Sequence, residues 1–287
     1  MHYADYKTIL SPTNGMNLYR GCSHGCIYCD SLSTCYQMNH DFEDIEIKRD
    51  AALILEQQLK RRRRRGMIAT GAMSDPYMNF TETLAITREC LQMVERYGFG
   101  LAIQTKSALI LRDLDILKSI HQTSRCVVEI TLTTYDEKLC SILEPRVSTT
   151  EERVMALETL REAGIPTVVW LSPFLPFIND TEENLRGLLS NCIQTGVQAI
   201  LAFGFGMTLR EGNREYFYAR LDESFPGMKE RYMRSFGSSY HCVSPSGPKL
   251  RRLFEAECIK HGIIYGEERV FSWIKQYRER EEQLNLF

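Results

Sequence analysis

Gly164-Ile165-Pro166-Thr167-Val168-Val169-Trp170-Leu171 reads as a helix stop followed by a strand with no polar face. A glycine just past a helix supplies the left-handed residue that closes its last turn, and a proline after it forbids continuation. The run that follows is β-branched and apolar without alternation, which suits a strand buried on both faces of a parallel sheet. The same phrase recurs along the chain. Gly66 precedes Met67–Thr70, Gly98-Phe99-Gly100 precedes Leu101–Gln104, and Gly196 precedes Val197–Phe203. Met16–Tyr19 and Val127–Leu132 complete a series of six predicted strands. Helices are predicted between them at 48–64, 81–97, 111–121, 149–163 and 182–195. Ser148 with Glu151, and Asp180 with Glu183, have the spacing of capping boxes at helix starts. Strands alternating with helices predict an α/β fold of repeated βα units.

From about residue 212 the rhythm changes. Aromatic and charged residues fill 216–240, a proline–glycine loop covers 244–248, and helices are predicted near 249–260 and 267–283. This predicts a core over 1–211 and a helical C-terminal extension over 212–287, packed on the core. No low-complexity linker separates the two.

The 287 residues are 44 % hydrophobic, 10 % aromatic and 25 % charged, which excludes a disordered chain or a coiled coil. Thirty-five Lys and Arg against 37 Asp and Glu leave a net charge of −2, so overall charge gives no support to nucleic-acid binding. No apolar run is long enough to span a bilayer, and the first residues lack the pattern of a signal peptide. A cytoplasmic protein without membrane partners is expected. Ten cysteines in a reducing compartment are not a disulfide framework.

Three of them cluster. Arg20-Gly21-Cys22-Ser23-His24-Gly25-Cys26-Ile27-Tyr28-Cys29-Asp30 places thiols four and then three residues apart, directly after the first predicted strand. Gly21 and Gly25 let the backbone wrap around something bulky. Such thiolates bind soft metals or iron–sulfur clusters. A structural zinc site would need a fourth ligand, from Cys35, His24 or His40. Cys90, Cys192 and Cys258 fall within helical patterns as small core hydrophobes.

Taken with the βα series, the CxxxCxxC loop with an aromatic before its last cysteine resembles the radical SAM superfamily, over roughly residues 10 to 210. Within it, the chain is similar to proteins related to spore photoproduct lyase. Gly21–Asp30, Ser74-Asp75-Pro76-Tyr77, Gln104–Ser107 with Arg112-Asp113, Glu144-Pro145 and Pro173–Asp180 carry that likeness.

The resemblance implies a partial (β/α)6 barrel with its cluster loop at 21–35. Cys22, Cys26 and Cys29 would hold a [4Fe-4S] cluster whose open iron is chelated by S-adenosylmethionine. Reductive cleavage would release a 5′-deoxyadenosyl radical that abstracts hydrogen from an unassigned substrate, a nucleic acid or nucleobase by analogy. An electron donor of flavodoxin or ferredoxin type is implied as a partner.

In such barrels the reactive face lies at the carboxyl ends of the strands. By the likeness Ser74, with Gly71 and Asp75 in the same turn, holds the methionine moiety, and Lys106 pairs its carboxylate. Thr131 or Thr133 would reach ribose or methionine, and backbone at Tyr28 and Gly204 would recognise adenine. Lys106 could instead be a solvated loop residue, Ser74-Asp75 a plain turn before Pro76, and Asp180 a helix cap. Spore photoproduct lyases carry a hydrogen-returning cysteine two positions before the serine matched by Ser74; here it is Ala72. Cys35 and Tyr77 are the remaining donor candidates for a DNA photolesion lyase. The other reading is a non-enzymatic zinc-binding or RNA-interaction module. The Arg61–Arg65 run at a helix end is a solvated face or a phosphate contact. Tyr216–Arg220 with Arg231–Arg234 is a base-stacking surface or a packed amphipathic helix.

Overall fold

The computed structural model describes residues 1–278. The chain opens with β1 (His2–Ala4), β2 (Gly15–Met16), β3 (Tyr19–Arg20) and β4 (Glu46–Lys48). An alternating series follows: α1 (Ala51–Arg61), β5 (Met67–Thr70), α2 (Thr81–Arg96), β6 (Gly100–Thr105) and α3 (Leu114–Thr123). It continues through β7 (Cys126–Thr131), α4 (Glu137–Leu143), α5 (Thr150–Glu162), β8 (Thr167–Trp170), α6 (Glu182–Thr195) and β9 (Ala199–Leu201). The last elements are β10 (Gly206–Thr208), α7 (Asn213–Ser224), α8 (Met228–Phe236), β11 (His241–Val243), α9 (Gly247–His261) and α10 (Glu267–Ile274).

Six strands form one parallel sheet in the order β2-β5-β6-β7-β8-β9, so each crossover carries at least one helix. The register pairs Ala69 with Ala102, Ile103 with Val128, Ile130 with Val169, and Val169 with Ile200. One face presents Ile68, Leu101, Ile103, Val128, Ile130 and Val169 to the helices, all fully buried. Each such side chain contributes about 1.5–3 kcal/mol on leaving water. The other face carries Ala102, Val127, Val168, Ala199 and Leu201, which pack against Val270 and Ile274 of α10. Alternation puts Gln104, Glu129, Thr131 and Trp170 further along this second face, toward the carboxyl ends. That is the expected α/β architecture, with a parallel core sheet and C-terminal helices.

Several boundaries differ from the prediction, each for a local reason. The strand expected at 16–19 is split: β2 joins the main sheet, while β3 pairs antiparallel with β4 in a three-stranded sheet of order β1-β4-β3. The cysteine loop therefore leaves from this smaller sheet. Helix α1 starts at Ala51 because 46–48 is strand, and α3 is preceded by a 3-10 turn over Ala108–Asp113. Both caps sit one residue later than predicted. Thr149 makes the capping box with Glu152, and the Thr181 hydroxyl accepts from the Asn184 amide. Ser148 is taken by the Ala108 amide, and Asp180 accepts from the Phe177 amide and the Ser244 hydroxyl. The predicted helix at 267–283 ends at Ile274; its continuation past 278 lies outside the described residues. No helix among the described residues is long and apolar enough to cross a membrane.

Candidate cofactor site

The loop after β3 is pinned on three sides. Gly21 has φ +85° and lies against the Phe42 carbonyl, which also accepts from the Cys22 amide at 2.9 Å; no side chain fits there. The Ile27 amide donates to the Leu143 carbonyl, and the Arg146 amide to that of His24. Arg146 Nε also donates to the Ser23 carbonyl while its Nη2 pairs with Glu43 at 2.6 Å. The loop is thus held between segment 37–44 and the end of α4. Its own apolar residues, Ile27 and Tyr28, pack against Leu143, Leu175, Phe217 and Tyr232.

Cys22, Cys26 and Cys29 line one cavity of about 300 Å³, closed on the far side by Phe42, Tyr216 and Arg220. Their sulfurs do not gather as ligands of one ion: among the described residues, the only group with all its donor atoms within 4.8 Å of one another is His2, His40 and Asp44. A tetrahedral zinc with sulfur at about 2.3 Å would hold its sulfurs closer than that. The proposed fourth ligands are also engaged elsewhere. His24 turns Nδ1 to the Asp75 carboxylate at 3.4 Å, Cys35 accepts from Arg210 Nη1 at 3.2 Å, and His40 faces Glu46. Three thiols around a roomy cavity without a fourth protein ligand are a donor set that fits a cluster and not a closed zinc site. Burial pushes the Cys22 thiol up to about 12, reinforced by the nearby Asp75 carboxylate. Burial also raises Cys26, against the pull of the Lys106 ammonium.

The carboxyl ends of the main strands supply the next layer. Asp75, after β5, accepts from the Tyr77 amide, the Thr105 hydroxyl and the Lys106 amide at 2.9, 2.7 and 2.8 Å. Its carboxylate is spent tying two strand ends together. Lys106 is half-buried. Burial alone would lower it, but Cys26, Glu144, Cys29 and Asp75 together hold it above the usual lysine range.

Behind the loop sits a fully buried ion pair. Arg153 Nη2 meets Glu144 at 2.6 Å and Nη1 donates to the Thr131 carbonyl at 2.7 Å. Glu144 also accepts from the Tyr28 hydroxyl and from Thr133 Oγ1. Burial works against its ionised form, yet Arg153, followed by Lys106, keeps the carboxyl below the usual range. Tyr28 and Thr133 are therefore joined through one carboxylate, and their hydroxyls are already committed.

The other predicted residues fall in different places. Ser74 lines a second cavity, of about 330 Å³, beside Gly21, Ser31 and Met73, where its hydroxyl reaches the Tyr19 carbonyl at 3.3 Å. Gly71 has φ +100° and rests on the Gln104 carbonyl, so its backbone touches β6 directly. Thr131 is buried and accepts from Gln104 Nε2 at 3.4 Å. Gly204, with φ +94°, follows β9 near the Arg251 guanidinium. Tyr77 is wholly buried in the main hydrophobic core and lines neither of these cavities. Cys35 is exposed and lines neither of these cavities. Tyr216–Arg220 falls on α7 and Arg231–Arg234 on α8; Phe217 and Tyr232 pack inward, as in the amphipathic-helix reading.

The sequence reading missed Glu129. It lies on the second face of the sheet, 6 % exposed, and accepts from the indole nitrogen of Trp170. Burial raises its carboxyl to about 7, partly offset by that indole. The ring of exposed Phe203 lies 5.2 Å from that of Trp170 at a tilt of 59°, and Phe271 completes the aromatic group. The signal was available: a lone acid in the apolar strand Cys126-Val127-Val128-Glu129-Ile130-Thr131 has to be answered by a partner.

A parallel βα sheet with a three-cysteine loop packed beside it defines the class, a βα fold with three thiols lining one cavity. The sequence profile of the Radical SAM superfamily matches residues 16–189, more than half of the chain, and the chain belongs to that superfamily. An uncharacterized protein of Mycobacterium tuberculosis (strain H37Rv) is 30 % identical over 260 residues, covering 88 % of this chain and 76 % of the relative. An uncharacterized protein of Methanocaldococcus jannaschii is 30 % identical over 171 residues, 58 % of this chain and 62 % of that one. Among solved structures, spore photoproduct lyase complexed with dinucleoside spore photoproduct superposes with a TM-score of 0.63. The match covers 90 % of this chain and 77 % of that one at 12 % identity, a likeness of fold.

Proposed function

We propose that the chain is a radical SAM enzyme in which Cys22, Cys26 and Cys29 hold a [4Fe-4S] cluster at the mouth of a partial (β/α)6 barrel. The carrying observation is the cavity of about 300 Å³ lined by all three thiols, which with His24 do not close into one compact four-donor site. The bound cluster would supply the electron that cleaves S-adenosylmethionine and so yields a 5′-deoxyadenosyl radical. The chain's part is to bind, orient and shield.

Lys106 stands beside Cys26 and Cys29 and is held protonated by its neighbours, which suits it to pair the cofactor carboxylate. Ser74, Thr131 and the backbone at Gly71, Tyr28 and Gly204 would seat the rest of the cofactor. Asp75 acts at one remove, by fixing the Lys106 amide. Substrate would lie over the second face of the sheet, where Trp170, Phe203 and Glu129 gather and the exposed Phe203 ring offers one aromatic face to a nucleobase-type ring. Ala72 is exposed and carries no thiol, so hydrogen return to a DNA photolesion by that position is not part of the proposal.

Anaerobic reconstitution tests it. The wild type should take up about four irons per chain and, reduced with dithionite, form 5′-deoxyadenosine from S-adenosylmethionine. Cys26→Ala should lose both. Fully loaded wild type that forms none would overturn the reading.

A further inference from the structure

A second donor cluster lies away from the thiol cavity, where β1 and β4 meet segment 37–44. Donor atoms of His2, His40 and Asp44 fall within 4.8 Å of one another. Glu46 Oε2 stands 3.6 Å from His2 Nε2 and 3.7 Å from His40 Nε2. Those separations are too long for hydrogen bonds, and His40 Nε2 is buried with no partner. They are close to the spacing of neighbouring donors on a tetrahedral zinc, about 3.3–3.5 Å for bonds of 2.0–2.2 Å.

The outer contacts agree. A metal-bound histidine donates its other ring nitrogen to a carboxylate or carbonyl, and a ligating carboxylate is itself hydrogen-bonded. His40 Nδ1 lies 2.9 Å from the Asp41 carbonyl, which orients its Nε2 toward Glu46. His2 Nδ1 lies 2.9 Å from Asp44 Oδ2, and Tyr6 donates to Glu46 Oε1 at 2.5 Å. Both rings thereby turn Nε2 toward Glu46 Oε2, next to the Asp44 carboxylate.

We propose that His2, His40 and Asp44, with Glu46 beside them, form a binding site for a divalent transition metal, with zinc the best fit to imidazole and carboxylate donors. The metal would bridge β1, β4 and segment 37–44, the segment whose Phe42 carbonyl fixes Cys22. It would clamp one wall of the thiol cavity while leaving the thiols free.

The test uses the full chain without a histidine tag, in a background that removes the competing thiols (Cys22→Ala, Cys26→Ala and Cys29→Ala together). Equilibrium dialysis against zinc should retain about one metal per chain. Adding His40→Ala, or separately His2→Gln, should weaken retention at least tenfold. Cobalt in place of zinc should give visible ligand-field bands without thiolate charge transfer. Zinc should also slow proteolysis within 37–44 in the background protein and not in the His40→Ala version. His2 is half-exposed on a three-residue edge strand, so His2→Gln carries the test if His40→Ala does not fold. No zinc retained by the thiol-free background, or retention unchanged by both histidine substitutions, would overturn the proposal.

Discussion

Arg153→Met isolates what the buried ion pair contributes behind the cysteine loop. Methionine is close to arginine in length and fills the site without charge, so the Glu144 carboxylate loses its principal counter-charge while packing is largely kept. Breaking a buried pair in this way costs about 3–5 kcal/mol, because one charge stays buried and uncompensated. The hydrogen bond from Nη1 to the Thr131 carbonyl adds about 1 kcal/mol. A loss near 4–6 kcal/mol lowers the melting temperature by at least about 8 °C in a chain of this size.

The sign with pH separates this account from simple loss of packing. In the wild type Glu144 is held below its usual 4.5, so its contribution is present above that value and lost as pH falls through the folded one. In Arg153→Met the same carboxyl is raised by burial, so the folded state binds the extra proton and stability falls as pH rises. The deficit of the variant should therefore be smaller at pH 5 than at pH 8 when thermal melts are compared at both. An equal deficit at the two values would refute the reasoning, since lost packing alone does not titrate.

Glu129 gives a second pH signature. With its carboxyl near 7, the emission of Trp170, read in a Trp273→Phe background, should shift with a midpoint near pH 7 and cease to shift in Glu129→Gln. Because this carboxyl is raised above its unfolded value, its contribution to stability should decline between pH 4.5 and about 7 and be flat above, a slope that Glu129→Gln removes in denaturant titrations. Gly71→Ala drives a Cβ into the Gln104 carbonyl at a positive φ and should cost more than about 2 kcal/mol in urea unfolding. Asp75→Asn leaves one acceptor oxygen for three donors and turns an amide toward them. It should lower stability by about 1–3 kcal/mol and reduce iron uptake in reconstitution, whereas full uptake would show that the strand-end tie does not govern the loop.

The parallel sheet was legible because its central strands β6, β7 and β8 are buried on both faces. Nothing charged interrupts Met67–Thr70 or Thr167–Leu171, and Gly164 and Gly196 close the helices before β8 and β9, whereas α1 ends at Arg61, before Gly66. The caps slipped by one residue because Ser148 and Asp180 have the right chemistry but spend it on tertiary partners, which local spacing does not report. Strands β1, β3 and β4 were missed for a different reason. Two or three residues carry no period, and their pairing is settled by contacts more than twenty residues apart. Of the site, the three thiols and the strand-end polar residues could be read from spacing. The second donor cluster could not, since His2, His40 and Glu46 are scattered in the chain and brought together by that small sheet. Burial of the Tyr77 ring could not be read from its polar neighbours Ser74 and Asp75.

The walls of the thiol cavity have different ages on the ribosome. Residues 22–29 emerge early, but Tyr216, Arg220 and the Phe217–Tyr232 packing that cover them belong to α7 and α8, made some two hundred residues later. Gly212 fits against the Leu32 carbonyl, the Thr34 amide donates to the Glu211 carbonyl at 3.0 Å, and Arg210 reaches Asp30 and Cys35, so the late segment is latched to the early loop by backbone and side chains together. Cys22 and Cys29 keep partial exposure, so the late helices narrow the approach to the thiols without sealing it. The thiol loop is therefore most open while the chain is still being made.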